Sequence, residues 1–226
     1  MEKDLGGKTL GIIHAAVFTS QTVQKYIDEI IPEVSVMHLG DDTIQRDNLA
    51  AEVGVVPKRN YAKFITYARF LEEAGADLIM LACSTFNRAV EYARPMINAP
   101  MLQIDRPMMD LAVQDGKAVG LLATLPMTVP SSERLLRLAA EEAKKEIEIK
   151  TVLSSEAFEA LREGNPEKHN AILLDEMDKL SKEVDAIVMA QVSMTALEPR
   201  LTKTRVPVYN SGRTGFTKAR EILESL

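Results

Sequence analysis

Cys83 is the only cysteine in this chain of 226 residues, and it directly follows an apolar run at residues 78–82. We expect this run to be a buried strand, and Cys83-Ser84-Thr85 to open the next helix. The positive end of a helix dipole stabilises a thiolate and lowers the pKa of the thiol. Such a thiol takes or gives a proton near neutral pH, or acts as a nucleophile. The alternative is an inert structural thiol, since cysteine is often buried.

A second position matters because the sequence repeats itself. Three segments of the first half match three of the second half: residues 11–19 and 120–128, 77–83 and 185–191, and 99–106 and 206–213. The offsets between the matched segments are 109, 108 and 107 residues, so the spacing hardly changes along the chain. We therefore predict two similar halves with the active site in the cleft between them. Gln191 occupies in the second half the place that Cys83 has in the first.

Short apolar runs alternate with longer amphipathic stretches, which is typical of βα units around a parallel sheet. The sequence predicts strands near residues 9–17, 34–39, 77–82, 101–104, 118–123, 147–152, 185–190 and 206–209. It predicts helices at residues 22–31, 58–74, 87–97, 106–115, 132–143, 167–183 and 213–226. The predicted fold is α/β, with two pseudo-symmetric Rossmann-like or flavodoxin-like halves that each contain a parallel sheet.

The turn at residues 115–117 is the predicted boundary, which gives a first half of residues 1–116 and a second half of residues 117–226. The C-terminal helix at 213–226 is expected to cross back onto the first half. Asp105 is predicted to cap one helix, and Asn165 another.

Polar residues follow the predicted strands, where open parallel sheets bind their ligands. Hydroxyl groups predominate among them and include those of Thr19, Ser84, Thr85, Thr124, Thr128 and Ser193. Hydroxyl and backbone N–H donors suit a small anionic ligand.

Two further candidate residues, His14 and Arg59, each allow a functional and a structural interpretation. His14, in the first predicted strand, is either a base that assists Cys83 or a hydrogen-bonded core residue. Arg59, near the start of a predicted helix, either binds a second substrate carboxylate or lies in solvent. His38 is predicted to be structural, and His169 to be exposed on a polar helix. No ligand spacing predicts a metal site, and no Gly-rich cofactor motif follows a strand.

Composition narrows the class of protein. Hydrophobic residues make up 46% and charged residues 27% of the chain, as in ordinary globular proteins. A net charge of −6 argues against a nucleic-acid or membrane surface as partner. A single cysteine cannot form an internal disulfide, which fits a reducing cytosol. The polar residues 1–8 do not resemble a signal peptide, and the apolar runs are too short to span a bilayer. We therefore expect a cytoplasmic protein.

The segment Leu81-Ala82-Cys83-Ser84-Thr85 resembles the Ala-Cys-Asn-Thr motif of the aspartate/glutamate racemase superfamily. This group includes glutamate, aspartate and hydantoin racemases, maleate isomerase and arylmalonate decarboxylase. The segment from Gly120 through Thr124 to Thr128 resembles its second-half glycine-threonine motif, and the resemblance covers essentially the whole chain. It implies an enzyme that uses no metal or pyridoxal cofactor, with two cysteines on opposite sides of the α-carbon of the substrate.

The resemblance makes Cys83 the acid/base of the first half. It places carboxylate binding on Ser84, Thr85, Thr124, Thr128, Val192 and Ser193. Gln191 departs from the family pattern, because glutamine cannot exchange a proton at accessible pH. We therefore expect an atypical, cofactor-independent racemase or isomerase that moves a proton at the α-carbon of a small carboxylate with one cysteine. The alternatives are an arylmalonate-type decarboxylase, covalent attack by Cys83, and a carboxylate-binding protein that has lost catalysis. The resemblance also implies a homodimer or higher homo-oligomer.

Overall fold

The structure is a computed structural model that describes residues 5–201 and 204–226. Its strands are β1 (Thr9–His14), β2 (Ser35–Gly40), β3 (Leu78–Leu81), β4 (Met101–Gln103), β5 (Ala118–Ala123), β6 (Glu148–Leu153), β7 (Ala186–Met189) and β8 (Val208–Asn210). Its helices are α1 (Thr19–Ile30), α2 (Asp42–Leu49), α3 (Lys58–Glu73), α4 (Ala89–Ala93), α5 (Arg106–Asp115), α6 (Val129–Glu142), α7 (Ser155–Arg162), α8 (Pro166–Leu180) and α9 (Ser211–Ser225). Shorter 3-10 segments cover Arg94–Met96, Pro126–Thr128 and Val192–Arg200.

Within these residues the strands form two four-stranded sheets, and every neighbouring pair is parallel. The strand orders are β2-β1-β3-β4 and β6-β5-β7-β8, so the two sheets have the same topology. The predicted α/β fold with two similar parallel sheets is therefore confirmed.

Burial differs between the strands of each sheet. All residues of β3 and β7, which lie inside their sheets, are buried. A strand that is covered on both faces needs a continuous apolar run, which is what both segments contain. The edge strands β2 and β6 have only exposed or partly buried residues. The apolar runs therefore place the ends of β3 and β7 inside each sheet, next to β1 and β5.

Two compact units divide the chain. The first contains the described residues up to Asp105 together with Gly212–Leu226, and the second contains Arg106–Ser211. Helix α5 belongs to the second unit because Met108, Met109 and their neighbours pack into one core cluster with β5 and α6. Helix α9 belongs to the first unit, where Phe216 stacks on Tyr26 with ring centroids 6.1 Å apart. The first unit thus ends at Asp105, whereas the sequence places the boundary at the turn of residues 115–117.

Several helices differ from the sequence prediction. α2 and α7 were not predicted, and the helix expected at residues 87–97 is reduced to α4 followed by a 3-10 turn. The side-chain amide of Gln103 donates to the carbonyl oxygen of Asn87 at 2.8 Å, and the N–H of Val90 donates to the same oxygen at 3.2 Å. Because α4 begins only at Ala89, Cys83 lies in a loop and does not open a helix. The Asn165 cap is confirmed, since its side chain accepts from the N–H of Lys168 at 3.0 Å.

None of the helices in the described ranges combines the length and the apolar character needed to cross a bilayer.

Candidate active site

The ends of β1 and β3 lie side by side where the strand order of the first sheet reverses. Ile13 pairs with Leu81, and the N–H of Ala82 donates to the carbonyl oxygen of Ile13 at 2.9 Å. Cys83 is the next residue. Ligands of open α/β sheets bind at such a reversal of strand order, beyond the carboxyl ends of the strands. The sheet therefore places Cys83 where the fold favours ligand binding.

The thiol of Cys83 is partly buried against the core of the first unit. Burial, with a smaller contribution from the negative charge of Asp105, raises the pKa of this thiol to about 11. The backbone N–H groups of Phe86 and Thr85 and the Thr85 hydroxyl act in the opposite direction, because they stabilise the thiolate. The lowered thiol pKa expected from the sequence is therefore wrong. Helix α4 begins only at Ala89, so no helix N-terminus offsets the cost of burial.

Asp105 is a buried carboxyl group beside this loop. It follows β4, and the N–H of its neighbour Ile104 donates to Leu81 on β3 at 3.1 Å. The Ser84 hydroxyl donates to Asp105 Oδ1 at 3.1 Å, and the Asn87 side chain also bonds the carboxyl group. Burial raises the pKa of Asp105 to about 7. Instead of capping α5 as predicted, this side chain turns towards the loop that carries Cys83.

His14 and Thr19 contact each other at the end of β1. The Thr19 hydroxyl donates its one hydrogen to the carbonyl oxygen of Ala16 at 2.7 Å, so it can only accept from His14 Nδ1, which lies 2.8 Å away. The His14 Nε2 atom of a neutral ring must then accept from His38 Nδ1, at 2.9 Å. The structural interpretation of His14 fits these bonds better than that of a base.

The charge state of this histidine pair follows from its burial. Burial, with a smaller contribution from His38, lowers the pKa of His14 to about 4, so the ring is neutral at pH 7. Burial also lowers the pKa of His38. His38 was predicted to be structural without a link to His14. The register of β1 and β2 pairs Ile12 with His38, which brings the His38 ring within hydrogen-bond distance of the His14 ring.

In the second unit, Gln191 follows β7 as Cys83 follows β3. Its Oε1 atom accepts from the Thr124 backbone N–H at 2.6 Å and from the Thr124 hydroxyl at 3.1 Å. A backbone N–H can only donate, so the amide oxygen of Gln191 must face Thr124 and its NH₂ group must face the other way. Position 191 therefore offers hydrogen-bond donors in place of a second thiol.

The remaining predicted binding residues are placed as follows. Thr128 is buried and ends a 3-10 turn in which its N–H donates to Leu125 at 3.1 Å. Val192 and Ser193 open the 3-10 segment after Gln191, and Val192 is buried. These three residues stay candidates for carboxylate binding because of where they lie in the fold.

The structure also shows the contacts of Arg59 and His169, which the sequence predicted to bind substrate and to be exposed, respectively. Arg59 pairs with Asp47, with 2.7 Å between Nε and Oδ2, while its side chain remains 67% exposed. The same carboxylate, on α2, also pairs with Arg46 at 3.0 Å, and a role for Arg59 in substrate binding stays a prediction. His169 was expected to be exposed but is buried, and its Nδ1 atom lies 2.8 Å from the carbonyl oxygen of Ala157. That contact joins α8 to α7, a helix that the sequence did not predict.

Across the parts of the chain that the structure describes, no group of three or more His, Cys, Asp and Glu side chains is arranged to hold a metal ion.

Residues 18–219 match the family described as Asp/Glu/hydantoin racemase. This chain belongs to that family. The match confirms the resemblance predicted from the Cys83 motif and the repeat. Membership of the Asp/Glu/hydantoin racemase family implies an enzyme of the isomerase class. No match is found among curated protein sequences.

Solved structures of racemases share the fold of this family member. An aspartate racemase homologue from Pyrococcus horikoshii OT3 gives a TM-score of 0.73 at 20% identity, over 97% of this chain and 100% of the other. Glutamate racemase from Bacillus anthracis gives 0.72 at 17% identity, over 97% and 82%. Allantoin racemase from Klebsiella pneumoniae gives 0.69 at 19% identity, over 97% and 88%. At these identities the likeness concerns the fold.

Proposed function

We propose that this member of the racemase family moves a proton at the α-carbon of a small carboxylate, with Cys83 as the acid/base and without a second thiol or a cofactor. The observation that carries the proposal is the position of Cys83 at the reversal of strand order. There, the N–H groups of Thr85 and Phe86 are directed at the sulfur. Donors on the sulfur stabilise the thiolate whenever the proton is on the substrate.

The protonation state of Cys83 determines the direction in which it works most readily. With a pKa of about 11, the thiol is protonated at neutral pH. In this form Cys83 is a proton donor, and it accepts a proton only after it has lost its own. A single-cysteine enzyme of this kind is therefore asymmetric, in contrast to the two-cysteine racemases that the sequence resembles.

The second unit supports the proposal with hydrogen-bond donors. Thr124 holds the oxygen of Gln191, which directs the NH₂ group of that side chain away from Thr124. We assign to this group, with the neighbouring Val192 and Ser193, the binding of a carboxylate or of the negative charge that develops on it. A well-placed donor to such a charge contributes about 3 kcal/mol to catalysis. Glutamine in this role binds an anion and exchanges no proton.

One observation favours a second candidate function, a decarboxylase of the arylmalonate type. Loss of CO₂ leaves a carbanion that needs a proton and no base, and the protonated thiol of Cys83 could supply that proton. Gln191 cannot act as an acid or base at accessible pH, which suits this reaction equally well.

Proton NMR in D₂O separates these functions. Wild type and Cys83→Ser would be incubated with amino acids, hydroxy acids and substituted malonates. We expect deuterium to enter the α-position with wild type and not with Cys83→Ser. A product with all its carbon atoms would identify an isomerase, whereas loss of CO₂ would identify a decarboxylase.

Two results would count against proton transfer by Cys83. Equal exchange in wild type and Cys83→Ser would move the acid/base elsewhere. Substrate binding without deuterium exchange would indicate a carboxylate-binding protein that has lost its chemistry.

A further inference from the structure

The carboxyl group of Asp105 has no role in the proton transfer described so far, although it lies beside the residue that performs it. Leu81 and Gln103 are register partners on β3 and β4, and Cys83 and Asp105 each lie two residues beyond them. Adjacent parallel strands therefore bring the thiol and the carboxyl group to the same edge of the first sheet. Both residues belong to the first unit.

We propose that Asp105 is a positioning residue for Cys83, whose carboxyl group anchors the loop that carries the thiol and whose charge sets the pH at which the thiol ionises. The proposal deepens the proposed function, because it rests on Cys83 being the acid/base. The anchoring is direct, since Ser84 and Asn87 lie in this loop and both bond the Asp105 carboxyl group.

The burial of Asp105 makes its charge costly. The residue is 0% exposed, and its Oδ2 atom has no hydrogen-bond partner in the described residues. A buried carboxylate with one bare oxygen is unfavourable compared with the neutral acid. The consequence is a carboxyl group that changes its charge near neutral pH, where its pKa of about 7 lies.

Among the groups that face the Cys83 thiol, the charged one is the carboxyl group of Asp105. Cys83 is faced by the donors of Thr85 and Phe86 and by the Asp105 charge, whereas Asp105 is faced by the neutral side chains of Ser84 and Asn87. Two further charged groups lie on the neighbouring elements. Glu91 on α4 accepts from Gln103 Nε2 at 3.3 Å, and Arg106, which follows Asp105, bonds Asp110 and Glu142.

Two like charges close together in a buried site oppose each other. When Asp105 is protonated, the thiolate of Cys83 forms more readily, and when Asp105 is ionised, the thiolate is suppressed. The two groups therefore tend to hold at most one negative charge between them.

The test is the rate at which 4,4′-dithiodipyridine modifies Cys83 between pH 5.5 and pH 9. Because the chain has one cysteine, the whole signal comes from this residue, and Cys83→Ser supplies the blank. In Asp105→Asn we expect little change in rate at pH 5.5, where wild-type Asp105 is already neutral. At pH 8.5 we expect a rate about tenfold higher than in wild type, since the variant lacks the opposing charge. Asp28→Asn, a carboxylate exposed on α1, should keep the wild-type rates at every pH.

A purely structural role for Asp105 would give a different pattern. If the substitution only loosened the loop, the ratio of variant to wild-type rates would be the same at all pH values, and that result would overturn the proposal.

A measurement on wild type alone guards against a variant that does not fold. The logarithm of the modification rate should rise with a slope below one around pH 7, where Asp105 acquires its charge. A uniform slope of one from pH 5.5 to pH 9 would also overturn the proposal. Neither measurement uses a substrate, so a failure to detect deuterium exchange leaves this test intact, and exchange by Cys83 can be found even if Asp105 has no influence.

Discussion

The amide of Gln191 replaces the thiol that the repeat leads one to expect, and Thr124 supplies two donors to this position. A thiol at residue 191 would stand at the second-half position that corresponds to Cys83, and the Thr124 donors lie near this position. We therefore predict that Gln191→Cys restores a second acid/base and raises α-proton exchange about a hundredfold for the substrate form that wild type handles slowly. Exchange into each enantiomer of the substrate, followed by NMR, measures this gain.

The matched control for this prediction is Gln191→Ser, which is small and polar but cannot exchange a proton at accessible pH. Equal exchange rates in the cysteine and serine variants would show that a thiol at residue 191 does not serve the reaction.

A second prediction concerns His14 and stability in acid. The pKa of His14 falls from 6.5 to about 4 on folding, so between these values the unfolded chain binds a proton that the folded protein does not. The folded state therefore loses stability as the pH falls through this window, by on the order of 3 kcal/mol. In His14→Gln the urea midpoint should fall less between pH 7 and pH 4 than in wild type. Midpoints that decline in parallel would contradict this assignment.

At the scale of elements, the packing of α9 depends on glycine. A Cβ atom at Gly212 would lie 2.1 Å from the ring of the buried Tyr26 on α1. Because a packed aromatic ring cannot move aside freely, we predict that Gly212→Ala lowers the free energy of unfolding by about 1–3 kcal/mol. Urea denaturation measures the change. Thr217→Ala, on the exposed side of α9, should stay within about 0.5 kcal/mol of wild type.

Elements with a continuous apolar run or a clear amphipathic pattern could be predicted from the sequence. β5 and α5 were predicted with their observed bounds, since Ala118–Ala123 is uniformly apolar and α5 presents Met108 and Met109 to the core. α2 was not, because Ile44 is its one buried apolar residue. Its position depends on the Asp41 cap, which accepts from the N–H of Thr43 at 2.9 Å.

The candidate site was predictable only in part. The strand-end position of Cys83 could be read from the apolar run before it, and the repeat identified Gln191 as its counterpart. The high thiol pKa could not be predicted, because it depends on how deeply the loop is buried and on a carboxyl group, Asp105, that arrives from another strand. Pairing between strands also decided the role of His14, whose partner His38 is 24 residues away.

For the whole molecule, the repeat in the sequence predicted that both sheets have one topology, and they do. It could not show on which sheet a helix packs. Each sheet ends in a strand followed by a helix, and both of these helices belong to the opposite unit: α5 follows β4 but joins the second, and α9 follows β8 but joins the first. The sequence predicted that α9 crosses onto the first half but left α5 there as well, because a helix with one apolar side fits either sheet equally well by pattern.

Because α9 belongs to the first unit, the order of synthesis differs from the order in which the units can be completed. The second unit is one uninterrupted stretch, Arg106–Ser211, whereas the first is assembled from segments on both sides of it. During synthesis the second unit therefore precedes the helix that covers Tyr26. The segment that carries Cys83 is made before the second unit, yet the first unit reaches its final form only after residues 212–226 have left the ribosome.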